Sequence, residues 1–110
     1  MIIGVAGPYS APTGEQRQAN LDALNEAAAR LLELGHTPII GMNAALPVVD
    51  KAIVADRYKA IMDISMAVIN SCEAILMIGS SPGADKEREL ITGKGLPVYY
   101  KIDEVPNAAK

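Results

Sequence analysis

Residues Ala74-Ile75-Leu76-Met77-Ile78 form an unbroken apolar run that is closed by Gly79-Ser80-Ser81-Pro82-Gly83 and followed at once by Ala84-Asp85-Lys86-Glu87. A short apolar run ended by Gly, Ser and Pro reads as a strand buried on both faces, and such strands belong to parallel sheets covered by helices. The residues after the loop read as the start of a helix. In open parallel sheets ligands bind where a strand's carboxyl end meets a helix N-terminus. Glu87 therefore stands beside a candidate site.

The rest of the chain repeats the same alternation. Ile2 to Ala6 form a first strand, and the turn-rich Gly7-Pro8-Tyr9-Ser10-Ala11-Pro12-Thr13-Gly14 stops it. A first helix runs from about Glu15 to Leu34, with Leu21, Leu24, Ala28 and Leu31 at helical spacing and Gly35 as its left-handed terminator. Thr37-Pro38-Ile39-Ile40 is a second strand, placed outermost because a proline is tolerated only at a strand start or a sheet edge. Gly41 to Asp50 is expected to be a loop, either a lid over the ligand or a plain surface turn. A second helix is expected from Lys51 to Ser71, a third from Ala84 to Lys94 capped by Gly95, and a last strand at Pro97-Val98-Tyr99-Tyr100. The polar tail from Lys101 reads as an arm or a disordered end. Strand and helix in strict alternation imply an α/β fold, a parallel sheet of four or five strands with helices on its faces.

The chain has 110 residues, half of them apolar and 21% charged, which suits one domain over residues 1–110. A net charge of -3 and an aromatic set of four tyrosines, with no Phe or Trp, leave neither a basic stripe nor a stacking platform, so a nucleic-acid polymer is not an expected partner. Cys72 is the only cysteine, which rules out an intramolecular disulfide and suits a reducing cytoplasm. Met1 to Ala6 is too short for a signal peptide or a membrane span, so a cytoplasmic protein without a membrane partner is expected. On the second helix Val54, Tyr58, Ile61 and Val68 form one apolar line while Met62, Met66 and Ile69 lie off it. One sheet face cannot cover both, so a homodimer or larger homo-oligomer is expected.

Two loops, Gly7 to Gly14 and Gly79 to Gly83, leave the carboxyl ends of the two central strands. Their glycine amides, and the N-H groups at a helix start, suit a phosphate or a sugar hydroxyl, with Ser10, Ser80 and Ser81 adding donors. The competing explanation is purely structural: Ser81 caps the third helix and Pro82 takes its first position. Glu87 likewise fits the preference of acids for the first turns of a helix, as do Asp85 and Glu89. Asp63 raises Glu87 above that explanation, because it projects from the second helix with Ala60, Met66 and Ala67 and can converge on the same sheet edge. Two acids in an apolar setting split into one that stays ionised and one that keeps its proton. That division suits cleavage at a sugar anomeric carbon.

Ile78 to Glu87, with Gly95-Leu96-Pro97-Val98, Ala6-Gly7-Pro8-Tyr9 and Asp63, resembles the nucleoside 2-deoxyribosyltransferase-like superfamily over nearly the whole chain. The likeness is nearest to its short DUF4406 branch, and the spacing also matches the 2'-deoxynucleoside 5'-phosphate N-hydrolases. The resemblance implies a flavodoxin-like three-layer sandwich and a site finished by a neighbouring subunit. It implies Glu87 as the nucleophile toward C1' of the sugar, Asp63 as an assisting acid, and Ser81 with Gly83 at the 5'-phosphate. The substrate implied is a nucleoside or nucleoside monophosphate, and no cofactor is called for. Ile3 stands where the transferases carry a strand-one tyrosine, which makes Tyr9 the candidate replacement. The C-terminal residues that reach a neighbour's site in those enzymes have no firm counterpart, Asn107 being the nearest.

The catalytic set expected is thus Glu87 and Asp63, and the substrate-binding set Gly7, Tyr9, Ser10, Arg17, Ser81 and Gly83. Arg17 and Asn20, at the start of the first helix, suit a phosphate or ribose, with simple solvation as the alternative for Arg17. Cys72 reads as a buried helix-end residue rather than a nucleophile, since the lone His36 lies at the opposite edge of the sheet. Asp56, Asp63 and Glu87 lack a metal-ligand spacing, so no metal is expected. Lys86, Arg88 and Lys94 read as a solvated helix face. The alternative to an enzyme is a nucleotide-binding module of the same fold whose acids only hydrogen-bond the sugar, or an interaction protein without a small ligand.

Overall fold

The computed structural model describes residues 1–108, so Ala109 and Lys110 of the domain expected over residues 1–110 lie outside the described residues. Four strands, β1 (Ile2–Ala6), β2 (Thr37–Ile39), β3 (Ala74–Met77) and β4 (Val98–Tyr99), are linked by α1 (Gly14–Glu33), α2 (Gly41–Val49), α3 (Arg57–Ile69) and α4 (Pro82–Gly93), with α2 and α3 both between β2 and β3. All pairings are parallel and the order is β2-β1-β3-β4. This is the flavodoxin-like α/β three-layer arrangement, with β2 at the edge where Pro38 is tolerated.

Side-chain alternation along the strands divides the core into two layers. Ile3 and Val5 of β1 and Ala74 and Leu76 of β3 pack with Leu24 and Leu31 of α1. Ile75 and Met77 face the other way, with Ala6, Ile69 of α3, and Ala84 and Ile91 of α4. Because β3 is covered on both sides, its four residues are all buried, as an unalternating apolar run requires. Helices α1 and α4 end at Gly35 (φ 88°) and Gly95 (φ 73°), the left-handed residues expected from sequence.

Two boundaries differ from the sequence expectation. Gly41 to Val49 is a helix rather than a loop or lid. Pro47 removes one hydrogen bond near the end of this short helix, yet Ala45, Leu46 and Val49 are buried and the Asp50 N-H still reaches the Leu46 carbonyl (2.9 Å). The helix expected from Lys51 begins only at Arg57, where Asp56 caps it by accepting from the Lys59 N-H at 3.0 Å. Val54 therefore belongs to the connecting loop and not to a helical stripe, while Met62, Ser65 and Ile69 make the buried face of α3.

The tail is also placed. Ile102–Glu104 form a short 3-10 turn, Val105 is buried in the α1 layer, and the Ala108 N-H donates to the Leu34 carbonyl at 2.7 Å. His36, buried before β2, lies within hydrogen-bond distance (2.5 Å) of the Pro106 carbonyl, at the end of the sheet opposite the loops of interest. No helix among the described residues is long and apolar enough to cross a membrane. Leu31 is fully buried between α1 and the sheet, so Leu31→Ala is expected to destabilise the fold by about 2–5 kcal/mol, read as a lower denaturant midpoint with an unchanged slope.

Candidate functional site

The strand order reverses between β1 and β3, so the loops that follow these two strands leave side by side while their helices depart to opposite faces. The loops touch: a Cβ on Gly79 would come within 2.8 Å of Pro8 Cδ. The Gly7 loop is tied to α1 by Arg17 Nη1, which donates to the Ala11 carbonyl (2.9 Å), and by Asn20 Nδ2, which donates to the Tyr9 carbonyl (2.9 Å). Both side chains thus fasten the loop, and Arg17 also faces the cleft beside it.

That cleft encloses about 730 Å³ between the Gly7 loop, the N-terminal turns of α3 and α4, and Met42 of α2. Gly7, Tyr9, Ser10, Arg17, Ser81, Gly83 and Glu87 all line it, so seven of the eight residues singled out from sequence meet there. Ser81 also performs the structural role weighed against its functional one: its Oγ accepts from the Ala84 N-H at 3.1 Å, with Pro82 at the first helical position. A hydroxyl that accepts one bond retains its own proton to donate. Ser80 lies outside the cleft, where its Oγ donates to the Asp85 carboxylate at 2.9 Å.

Glu87 is only 5% exposed. Ser65 Oγ donates to its Oε2 at 3.2 Å, the one hydrogen bond made by this carboxyl among the described residues. No buried side-chain polar atom of those residues lacks a partner, so Oε1, which makes no hydrogen bond among them, is not sealed from solvent, and Glu87 lines the cleft. Burial raises the Glu87 pKa from 4.5 to about 7, and the Ser65 hydrogen bond opposes that rise.

Asp63 does not converge on Glu87, which corrects the expected pair of acids. Its side chain is 63% exposed and forms an ion pair with Lys59 at 2.7 Å, one helical turn back on α3. Met62, Ser65 and Ile69 define the inward stripe of that helix, and Asp63 lies about 100° round from Met62, off the stripe. In keeping with this, burial and Ser65 are the resolved causes of the Glu87 shift, with no contribution from Asp63.

Sequence reasoning passed over Arg57, Tyr58, Met62 and Ser65. The first three line the cleft, and Arg57 pairs with Asp50 across the loop before α3. Ser65 was legible only as a serine inside an apolar helical stripe, a position that needs a polar partner. The Cys72 thiol is raised to about 11, first by burial and then by the charge of Glu87, which keeps it a neutral core residue. The described residues hold no cluster of His, Cys, Asp and Glu able to bind a metal.

A carboxyl that ionises near pH 7 when folded and near 4.5 when unfolded binds more protons in the native state between those values, so stability falls as pH rises through them. The charged form costs about 3 kcal/mol above pH 7, and below pH 4.5 that cost is absent. Glu87→Gln is therefore expected to be more stable than the parent at pH 8, with the gain shrinking to nothing by pH 4, as measured by denaturant titration across the range. No curated protein matches this chain. The family model of DUF4406, a domain of unknown function, matches residues 1–100, and the chain belongs to that family.

Proposed function

We propose that the cleft binds a nucleoside or nucleoside 5'-monophosphate and that Glu87 cleaves its N-glycosidic bond. The observation that carries this reading is a nearly buried carboxyl that lines the cleft: Oε2 is held by Ser65, while Oε1 makes no hydrogen bond among the described residues and is left open to solvent. Oε1 would attack C1', the C1'–N bond would break with its electron pair leaving on the base, and the base would take a proton from solvent. Water or a second base then releases the glycosyl ester, giving hydrolysis or transfer.

Several features support a phosphorylated sugar. Ser81, Gly83, Arg17 and the Asp50-paired Arg57 line the same space, and the α4 N-terminus adds partial positive charge. Tyr9 and Tyr58, with Met42, Ile61 and Met62, give apolar surface for a base. The resemblance to the deoxyribosyltransferase-like superfamily points to the same chemistry. Exposed Val48, Ile53, Val54 and Tyr58 gather around the end of α2 and the start of α3 beside the cleft, and a second copy of the chain is the cover proposed for them. Sedimentation at micromolar concentration is expected to show a dimer or larger species.

One observation favours a second reading. With Asp63 outside the cleft there is no second carboxylate to assist a leaving group, and a protonated Glu87 is a good hydrogen-bond donor, which suits a binding module that holds the sugar without cutting it. Incubation with a panel of deoxynucleosides and deoxynucleoside monophosphates, with free base measured by chromatography, separates the two. The parent is expected to release base and Glu87→Gln to lose about three orders of magnitude or more. Equal turnover by the two forms rejects a nucleophilic Glu87, whereas tight binding without base release in either form selects the binding module. A nucleophile must be ionised, so the rate is expected to climb with pH up to about 7 and then level. A rate that falls through pH 7 would assign Glu87 an acid's role.

A further inference from the structure

Ser65 is the one serine of α3 that is completely buried, and nothing in a sheet-facing helical stripe calls for a hydroxyl there. Its neighbours explain how it fits. Gly41, the first residue of α2, packs straight onto it: a Cβ at position 41 would fall 1.8 Å from Ser65 Oγ and 2.9 Å from Ser65 Cα. The second of these distances is to backbone, so α2 and α3 could not approach this closely with any larger residue at position 41. Gly41 thus closes one side of Ser65, and Glu87 Oε2 at 3.2 Å occupies another. The hydroxyl is confined between a backbone and a carboxyl, with its proton directed to the carboxyl.

We propose that Ser65 is the positioning residue of this site: its hydroxyl anchors Glu87 Oε2 so that Oε1 presents to the cleft, and Gly41 is what allows α2 to seal the hydroxyl from water. The kinetic part of this inference rests on the reading of Glu87 as the reacting group; the structural part does not. A buried hydroxyl that donates to a carboxylate stabilises the ionised form, so Ser65 opposes the effect of burial and keeps a fraction of Glu87 charged at neutral pH. The other titratable or charged groups that line the cleft with Glu87 are Tyr9 of the first loop, Arg17 of α1 and Arg57 and Tyr58 of α3, and Cys72 after α3 feels its charge. Among the described residues none of them makes a hydrogen bond to its carboxyl.

The test is the carboxyl titration of Glu87, followed by carbon-13 NMR in the parent, in Ser65→Ala and in Glu87→Gln, the last identifying the signal by its loss. Ser65→Ala is expected to fold and to raise the Glu87 midpoint by about one pH unit. If the parent releases base, the rising limb of its pH–rate profile is expected to move up by the same amount in Ser65→Ala, with kcat at pH 6.5 falling about tenfold and KM little changed. An unchanged midpoint in folded Ser65→Ala overturns the proposal. Should Ser65→Ala not fold, Ser65→Cys, of similar volume and a weak donor, is expected to raise the midpoint by a smaller amount, and no rise there overturns it equally. A midpoint shift in a protein that releases no base would leave the positioning role standing and remove the reaction, whereas base release with no shift would do the reverse.

Discussion

Burial of one carboxyl group, that of Glu87, is the constraint around which the carboxyl-end side of this fold is arranged. A glutamate at 5% exposure is costly when ionised, and a protein that needed only an apolar α4 would place a leucine there. Instead α3 supplies a hydroxyl, α2 brings the backbone of Gly41 against that hydroxyl, and the cleft reaches the oxygen that remains. Three helices are thus committed to the state of a single side chain. Few buried polar groups in a core of this size would be retained without a use, which is why a perturbed carboxyl in a cleft marks a functional candidate.

The sheet order explains why this carboxyl sits where small molecules can find it. With β1 and β3 adjacent and their helices on opposite faces, the two following loops cannot both be covered by helices, and a crevice opens between them. Arg17 and Asn20 then hold the first loop by its carbonyls, while Ser81 and Pro82 fix the start of α4. Rigid loops of this kind position backbone amides and hydroxyls in advance of a ligand, so less ordering remains to oppose binding. The structural and functional explanations weighed for Ser81 are compatible, since a hydroxyl that caps the helix through a lone pair still has a proton to donate.

Much of this was legible in the sequence, for physical reasons that also explain the failures. The apolar run of β3 and its Gly-Ser-Pro stop carry a signal that local chemistry alone produces, and Gly35 and Gly95 mark helix ends because only glycine takes a positive φ without strain. Helix α2 was illegible because Pro47 argues against a helix locally, while the burial of Ala45, Leu46 and Val49 that overrides it is tertiary. Asp63 shares its side of the helix with Ala60, Met66 and Ala67, small or apolar residues that suggest an inward face, yet Ala67 is exposed and that side is not the buried one. The inward stripe passes through Met62, Ser65 and Ile69, and the aspartate falls outside it. Pairing of Asp63 with Glu87 required knowing the helix's rotation about its axis, which a sequence of mixed apolar stripes leaves undetermined. The same rotation is what brings Ser65 inward.

A cleft with one acid rather than two changes what the chemistry asks of the substrate. In glycosidases with paired carboxylates, one group attacks and the other protonates the departing oxygen. A nucleobase leaving group differs, because a ring nitrogen bearing the electron pair is stabilised by delocalisation and by solvent contact, and needs less help from a positioned acid. An exposed Asp63, about one and a half turns beyond the cleft-lining Arg57 and Tyr58, lies off the inward stripe of α3 and does not line the cleft within its own chain. Under the proposed function the demand then shifts to Glu87, whose ionisation has to be maintained in a site lined largely by apolar side chains. Ser65 answers that demand from the buried side, through a hydrogen bond that opposes the rise caused by burial. The balance between that hydrogen bond and burial decides whether the carboxyl is an anion or an acid, and so, under the proposed function, whether the cleft cuts a ligand or holds it.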